Sequence, residues 1–391
     1  MGWSHLPRPL LRRLAPAWAD QDYLARRFER DGPVFTYREL GRPVVAIRGT
    51  ARGRELLTEA AGQLASPPLP WSHLIQHGFI RFMTPEARST YRPLLAAGFS
   101  PRVASAHTEA LAAACRATIS VLDDDRDLRV PLRGLALDLL VLLTSGLPAG
   151  DPDARRLREC ALALPIGHGP VLARRRARRH LAEATALLRA RCRKGDPSFA
   201  GEILLRAAGL DDTVAGNLIY LVRLAANDVS GALHWLTFEL AHHPRWLARI
   251  AADGAPVADA VVAETLRLHQ SEYLLRRAAG ELDWSGTNVP AGRRLRICIA
   301  ESHREHALFA SPETFDPERF LAAEPPGADI YRPFGGPHTF CLGAGVAHAI
   351  LRLFACELSA FEVSVSADGP SEYDDWHWRP SRDFRIGLSV A

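Results

Sequence analysis

The longest apolar stretch of the chain runs from Asp212 to His242 and predicts one long helix through the protein core. Two aspartates at its start are typical of a helix N-terminus, and apolar side chains follow on nearly every side. The stretch is interrupted by an amide, a carboxylate and a hydroxyl at Asn227, Asp228 and Ser230. Polar groups are unfavourable in a buried helix unless they line a cavity. The segment from Asn227 to Ser230, which we call the polar step, therefore predicts a functional site.

A glycine-rich loop contains a single cysteine, Cys341, and precedes an apolar run predicted to be a helix from Ala344 to Leu358. The loop reads Phe334-Gly335-Gly336-Pro337-His338-Thr339-Phe340-Cys341-Leu342-Gly343. A helix N-terminus favours the thiolate over the thiol, and a thiolate in such a loop can ligate iron, as in haem-thiolate enzymes. Phe334 is then expected to pack against the ligand. The loop alone leaves a second interpretation open, in which Cys341 is an ordinary buried cysteine.

Composition narrows the class of protein. The 391 residues are 47% hydrophobic and 24% charged, as in a soluble globular protein. The six cysteines are scattered singly, which favours a reducing compartment, and a net charge of +4 is too small to indicate nucleic-acid binding. Residues 1–20 contain no long apolar run, so we expect a cytoplasmic protein without a signal peptide or membrane anchor. With no internal repeat or linker, residues 1–391 are predicted to form one domain.

Three further segments each have a functional and an ordinary interpretation. The aromatic segment from Leu64 to Met83 is either a wall for an apolar ligand or a packed surface loop. Thr84 is the predicted N-cap of a helix that carries Arg88 and Arg92 on one face, suited to carboxylates or simply solvated. The basic run at residues 174–180 is either a solvated face or a dock for an acidic partner, such as a substrate carrier.

Two charged motifs precede the cysteine loop. Glu264 and Arg267 are three residues apart on a predicted helix, close enough to form an ion pair. The proline-rich segment from Pro312 to Phe320 contains Arg319. Neither motif is specific alone, but their order and spacing relative to Cys341 are informative.

In this order and spacing, the motifs resemble the cytochrome P450 family across essentially the whole chain. The resemblance implies the cytochrome P450 fold, mainly α with a small β region and prism-shaped. It also implies haem b between the central helix and the cysteine loop, with Cys341 as the axial ligand of the haem iron. The lack of an anchor resembles the soluble bacterial branch of the family, which takes electrons from a ferredoxin and its ferredoxin reductase.

The resemblance also assigns roles to individual residues. Glu264, Arg267 and Arg319 match the family's buried charged triad. Arg92 and Arg277 match propionate contacts, and Arg88 replaces a frequent histidine. The remaining expected haem contacts are Phe334, His338, Thr339, Gly343 and Ala225. Within the loop, Pro337 stands where the family usually has glycine, and Thr339 where it usually has histidine or arginine.

The most consequential departure is Val229. In the family, the residue after Asp228 is a threonine whose hydroxyl helps deliver the protons that cleave the O–O bond. Valine has nearly the same shape but no hydroxyl. Proton delivery is then expected to use Ser230, a water held by Asp228 or Asn227, or a group on the substrate.

Three hypotheses about the function follow from these observations. The first is a monooxygenase that inserts one atom of O₂ into a secondary metabolite, with altered proton delivery. The second is an atypical haem-thiolate reaction, such as oxidative coupling, dehydrogenation, a peroxide-driven reaction or nitration. The third is a haem-binding protein without turnover.

By resemblance, the substrate walls include both aromatic and polar residues: Trp71, His73, His77, Phe79, Val222, Tyr273, Leu274 and Asp383. The polar members, with Glu272, suggest a substrate with polar or cationic groups, such as a peptide or amino-acid derivative. The alternative is that these polar groups face solvent.

Overall fold

The computed structural model describes residues 8–67, 71–122, 127–165, 171–192, 197–206, 209–269, 273–336, 340–374 and 377–390. Helices dominate this part of the chain, and the short strands lie in roughly the first sixth and the last third of the sequence. The mainly helical class with a small β region is therefore confirmed.

The helices follow one another in the order α1 (Arg8–Leu14), α2 (Pro16–Ala19), α3 (Tyr23–Asp31), α4 (Thr50–Glu59), α5 (Pro85–Gly98), α6 (Pro101–Ala106), α7 (Thr108–Ile119), α8 (Arg129–Ser145), α9 (Pro152–Leu162), α10 (Val171–Arg191), α11 (Phe199–Arg206), α12 (Asp212–His242), α13 (Pro244–Asp253), α14 (Ala255–His269), α15 (Ile299–Ser302), α16 (Glu318–Leu321) and α17 (Ala344–Leu358). The predicted helices before and after the cysteine loop, α12 and α17, have the expected bounds.

The strands are β1 (Val34–Glu39), β2 (Arg42–Ile47), β3 (Leu64–Ala65), β4 (Leu274–Ala278), β5 (Leu282–Trp284), β6 (Thr287–Val289), β7 (Arg294–Ile297), β8 (Phe361–Ala367), β9 (Glu372–Asp374), β10 (His377–Arg379) and β11 (Arg385–Val390). Five of them form one sheet in the order β1-β2-β7-β4-β3. The β1–β2 hairpin is antiparallel, whereas β2 pairs in parallel with β7.

The chain divides into two compact units. The first comprises Met1–Pro67, His234–Cys341 and Glu362–Ile386, and the second comprises Pro68–Leu233, Leu342–Phe361 and Gly387–Ala391. The first unit contains the five-stranded sheet, whose two sides bury separate apolar clusters around Ile47 and Phe28. The second unit is largely helical.

An asparagine on α12 holds the aromatic loop of the second unit in place. Asn217 is fully buried, and its Oδ1 accepts from the backbone N–H of Ile80 at 2.7 Å. Its Nδ2 donates to the carbonyls of Gly78 and Thr213 at 3.1 and 2.8 Å. One side chain thus satisfies loop backbone groups on both sides of Phe79, because a buried backbone group without a partner is costly.

We predict that Asn217→Ala lowers the free energy of unfolding by about 3 kcal/mol, because it strands buried loop groups as well as removing hydrogen bonds. The matched control is Asn288→Ala, which removes an exposed amide that donates to Glu281 and Asp283. The control is expected to change stability by less than about 0.5 kcal/mol. Urea unfolding of both variants measures this difference, and equal midpoints would contradict the role given to Asn217.

Candidate active site

The cysteine loop closes through its own backbone. The amide of Cys341 donates to the carbonyl of Phe334 at 3.0 Å. Gly335 has φ +90°, a left-handed conformation that glycine adopts without strain, and Gly336 is buried. Phe334 is half-buried, and the thiol-bearing Cys341 is exposed. Pro337, His338 and Thr339 lie outside the described residues, so the contacts expected of them stay predictions.

The helix after the loop begins with Ala344, three residues beyond Cys341. Gly343 is its N-cap, and its carbonyl accepts from Ala347 at 2.8 Å. Cys341 therefore belongs to the short connection that leads into a helix N-terminus, as the sequence predicts.

Glu264 and Arg267 form a fully buried ion pair on α14. The Nε and Nη2 of Arg267 donate to the two carboxylate oxygens of Glu264 at 2.7 and 2.8 Å. Glu264 Oε1 also accepts from the backbone amide of Asp316 at 2.9 Å and from Arg319 Nε at 3.3 Å. The carboxylate thus holds both arginines and the backbone of the segment before α16.

The remaining donors of Arg267 are satisfied by backbone carbonyls. Its Nη1 donates to His303 and Pro312 at 2.8 and 2.7 Å, and its Nη2 donates to Thr314 at 3.2 Å. A buried charge is tolerable only when its hydrogen-bonding groups are satisfied. Backbone carbonyls of the segment from His303 to Arg319 therefore surround this guanidinium and accept its hydrogen bonds.

Two contacts that the sequence did not predict connect this network to the cysteine loop. The fully buried His303 accepts on Nε2 from the backbone amide of Arg332 at 2.8 Å. The hydroxyl of Tyr331 donates to the carbonyl of Ala263 on α14 at 2.9 Å. Residues 331 and 332 lead directly into Phe334, so the entrance to the loop is fixed to the helix that carries the charge pair. No local pattern distinguishes His303 from a surface histidine.

Strand β4 separates two neighbouring arginines. Arg276 lies on the buried face and donates through Nη1 to the carbonyl of Leu275 at 2.7 Å. Arg277, the expected propionate contact, is exposed. Side chains alternate between the faces of a strand, so the apolar positions Leu274 and Ala278 would have indicated the inward direction of Arg276.

A cavity of about 30 Å³, enough for roughly one water molecule, lies beside the cysteine loop in the first unit. Apolar and polar side chains share its wall with the loop glycines: Thr50, Gly53, Arg54, Leu57, Leu274, Ile297, Ile299, Ser302, Arg332, Gly335 and Gly336. Leu274, a predicted substrate contact, therefore borders the same space as the two glycines.

The residues of the polar step of α12 differ in burial. Asn227, Val229 and Ser230 are buried, whereas Asp228 is exposed. The hydroxyl of Ser230 donates to the carbonyl of Asn227 at 2.9 Å within the helix. Ala225, the expected haem contact one turn earlier, is half-buried. The carboxylate is thus the group of this step that is open to solvent.

Arg88 of the second unit lies near two further arginines, Arg92 and Arg81. Arg88 and Arg92 are half-buried on α5, which begins at the predicted N-cap, Thr84, whose hydroxyl accepts from Ala87 at 3.3 Å. Burial, and then repulsion by Arg92 and Arg81, lower the pKa of Arg88. Excess positive charge of this kind favours an anion nearby.

The predicted substrate contacts of the second unit fall into two groups. Trp71 is buried and stacks on Tyr220, with ring centroids 4.0 Å apart, and its edge meets Phe79. Phe79 and Val222 are also buried. His73 and His77 are exposed, and the ring of His77 is 5.4 Å from that of Tyr91.

The predicted contacts of the first unit differ as well. The guanidinium of Arg296 lies 3.7 Å from the ring centroid of Tyr273, a cation–π contact that engages one face of the ring. Leu274 is buried, and Asp383 is exposed with its amide donating to Ser381 Oγ at 3.1 Å. Glu272 lies outside the described residues.

The environment of His303 predicts an acid-sensitive contribution to stability. Burial and the charge of Arg267 lower the pKa of His303 to about 3, whereas the unfolded chain has the ordinary value near 6.5. Between these values the unfolded chain binds the extra proton, so the free energy of unfolding falls as pH falls. From pH 7 to pH 5 this residue alone is expected to remove about 2 kcal/mol.

His303→Gln retains an acceptor for the Arg332 amide but does not titrate. We therefore predict that the variant loses about 2 kcal/mol less stability than the wild-type protein between pH 7 and pH 5. Other buried groups, such as His269, whose pKa burial also lowers, are common to both proteins and cancel in the comparison. Urea unfolding at each pH measures the difference. If the free energies of unfolding of the two proteins changed equally between pH 7 and pH 5, the lowered pKa of His303 would be contradicted.

Comparisons with known proteins agree with this arrangement. A family model described as Cytochrome P450 matches residues 225–379, which include the polar step of α12, the charge pair and the cysteine loop. Thromboxane-A synthase of Rattus norvegicus is 31% identical over 164 residues, which are 36% of this chain and 31% of that protein. Putative cytochrome P450 135B1 of Mycobacterium bovis is 32% identical over 207 residues, 47% of this chain and 44% of that protein. The matched segments thus span less than half the length of these relatives.

The likeness of fold extends further. A cyanobacterial structure, "Retinoic acid bound cyanobacterial CYP120A1", superposes with a TM-score of 0.80 at 24% identity, covering 97% of this chain and 96% of the other. Among the described residues, no helix is both long and apolar enough to span a membrane. The fold is the cytochrome P450 fold, and the segment from residue 225 to residue 379 matches the Cytochrome P450 family model.

Proposed function

We propose that the protein is a haem-thiolate monooxygenase that binds haem b through Cys341 and inserts one atom of O₂ into a small-molecule substrate. The observation that carries the proposal is the exposed thiol of Cys341, in a loop whose entrance is tied to the buried charge pair through His303 and Tyr331. A thiolate-bound haem supplies the reductive activation of O₂, in which two electrons and two protons release one oxygen atom as water.

The donor set fits this cofactor. One thiol next to a helix N-terminus suits the iron, and the repulsion among the arginines around Arg88 suits the carboxylates of the propionates. We assign the propionate contacts to Arg88, Arg92 and a residue of β4. On that strand we favour Arg276 over Arg277, since it is the buried member of the pair. Phe334, Gly343, Ala225, His338 and Thr339 complete the proposed haem contacts.

On α12 we propose that Asp228 exchanges protons with solvent. It is exposed, while Val229 beside it has no hydroxyl and the Ser230 hydroxyl is directed to the Asn227 carbonyl. Ser230 and Asn227 then support the helix and hold a water for proton transfer. This altered delivery also supports the second candidate, an atypical haem-thiolate reaction in which protons are not needed at the same step. Haem binding without turnover is the third outcome.

We propose a secondary-metabolite substrate with polar or cationic groups, such as a peptide or amino-acid derivative. The exposed His73, His77 and Asp383 support it, while the aromatic contacts of Trp71 and Tyr273 fit a role in shaping the walls. A binding screen tests this proposal, because shifts of the haem spectrum caused only by terpenes or fatty acids would contradict it.

The remaining proposals rest on the sequence. A ferredoxin and its reductase would supply electrons in a bacterial cytoplasm, with residues 1–391 acting as one domain. The exposed arginines of α10 fit an acidic partner such as a substrate carrier protein.

Haem retention separates the two arginines of β4. We predict that Arg276→Gln increases haem loss roughly tenfold or more, because a charge-assisted hydrogen bond to a propionate disappears. Arg277→Gln, the same change on the exposed face, is expected to retain haem within about twofold of the wild-type protein. Transfer of haem to excess apomyoglobin measures both rates, and a greater effect at Arg277 would reverse the assignment.

Turnover under ¹⁸O₂ distinguishes the candidate reactions. With a ferredoxin system and a bound substrate, we predict a product that contains one labelled oxygen atom. A product without label indicates coupling or dehydrogenation, and no product with any substrate that shifts the haem spectrum would indicate a binding protein.

Val229→Thr restores the missing hydroxyl. If the native reaction is oxygen insertion, we expect the fraction of electrons recovered in product to be equal to or greater than that of the wild-type protein. Val214→Thr, at another buried position of α12, controls for burying a hydroxyl in this helix. Collapse of product only in Val229→Thr, with haem intact, would favour the atypical reaction.

A further inference from the structure

Three side chains of different chemistry meet between α9 and α10 in the second unit. Cys160 lies near the end of α9, and His180 and Glu183 lie three residues apart on α10. One ligand atom of each lies within 4.8 Å of the other two. Residues at this spacing share a helix face, so both side chains of α10 are directed to the thiol.

The thiol and one ring nitrogen of this cluster are buried. Cys160 is fully buried, and its sulfur lies within 4.8 Å of a Glu183 carboxylate oxygen. Nδ1 of His180 is buried and has no hydrogen-bond partner in the described part of the chain. The Glu183 carboxylate is held by Arg156, whose Nε and Nη2 donate at 2.6 and 2.8 Å. The cluster therefore combines a buried thiol, an oriented carboxylate and an unused imidazole nitrogen.

We propose that Cys160, His180 and Glu183 form a binding site for a zinc ion. Thiolate sulfur, imidazole nitrogen and carboxylate oxygen are the donors that Zn²⁺ takes in proteins, and three protein ligands leave a fourth position for water. On binding, the Cys160 proton leaves to solvent and a sulfur–zinc bond takes its place, without any redox change. The metal cross-links α9 to α10.

The surrounding charges are compatible with a dication. A thiolate and a carboxylate offset both charges of the metal. The carboxylate oxygens of Glu183 have further lone pairs, so Glu183 can ligate zinc and still accept from Arg156, which orients it from outside. Arg176 Nε lies 3.4 Å from His180 Nε2, but its side chain is exposed and can turn into solvent while Nδ1 ligates the metal.

The test uses the intact protein with its haem content measured, purified without a metal-affinity step and stripped of loosely bound metal with a chelator. Zinc is titrated against a chromophoric competitor, and zinc is quantified separately from iron. We expect one equivalent to bind with micromolar or tighter affinity. Cys160→Ser and His180→Gln are each expected to weaken binding roughly tenfold or more.

Cys192→Ser is the matched control, since Cys192 follows α10 and lies outside the cluster. It is expected to bind zinc like the wild-type protein. Zinc should also raise the melting temperature of the wild-type and Cys192→Ser proteins but not of Cys160→Ser, and unchanged haem spectra show that the variants are folded. No binding by the wild-type protein, or equal affinity in Cys160→Ser, would overturn the proposal and leave the cluster as a hydrogen-bonded contact between helices.

Discussion

The ion pair between Glu264 and Arg267 is the constraint on which the organisation of the first unit depends. Both side chains are fully buried, so each loses its hydration and must be compensated inside the protein. The bidentate geometry, three backbone carbonyls, one backbone amide and Arg319 supply that compensation. Because most of the partners are backbone groups, the pair dictates the path of the chain rather than the identity of its side chains.

That path leads to the cysteine loop. His303, whose carbonyl accepts from Arg267, also accepts from the backbone of Arg332 through its ring, and so its neutral state matters. If His303 were protonated, its Nε2–H would face the backbone N–H of Arg332, and the ring would place a second positive charge beside Arg267. The loop that carries Cys341 is therefore coupled to the buried charge through His303. A change at Glu264, Arg267 or Arg319 would disturb the backbone contacts at the entrance to this loop.

Strong local signals made part of this architecture predictable from the sequence. Helix signals depend on neighbours only a few residues away, so they can be recognised in the sequence. Examples are the apolar run of α12, the N-cap Thr84 and the helix after Cys341. The parallel pairing of β2 with β7 joins residues about 250 positions apart, and no local pattern specifies it.

The candidate site shows the same division between local and distant determinants. The glycine-rich loop pointed to Cys341 by its residue types alone, whereas the resemblance to the cytochrome P450 family was needed to join Glu264, Arg267 and Arg319 into a triad. Whether a side chain is free or engaged depends on distant partners, and so the stacking of Trp71 on Tyr220 and of Tyr273 on Arg296 could not be inferred. The buried orientation of Arg276 could have been predicted, because side chains alternate between the two faces of a strand.

The most direct test of the account is the absorption spectrum of the purified protein after reduction and exposure to carbon monoxide. We predict the red-shifted Soret band of thiolate-bound haem, which Cys341→Ser abolishes while Cys356→Ser preserves it. A histidine-type band in the wild-type protein, or no bound haem, would contradict the claim that this buried charge network positions Cys341 as the ligand of the iron.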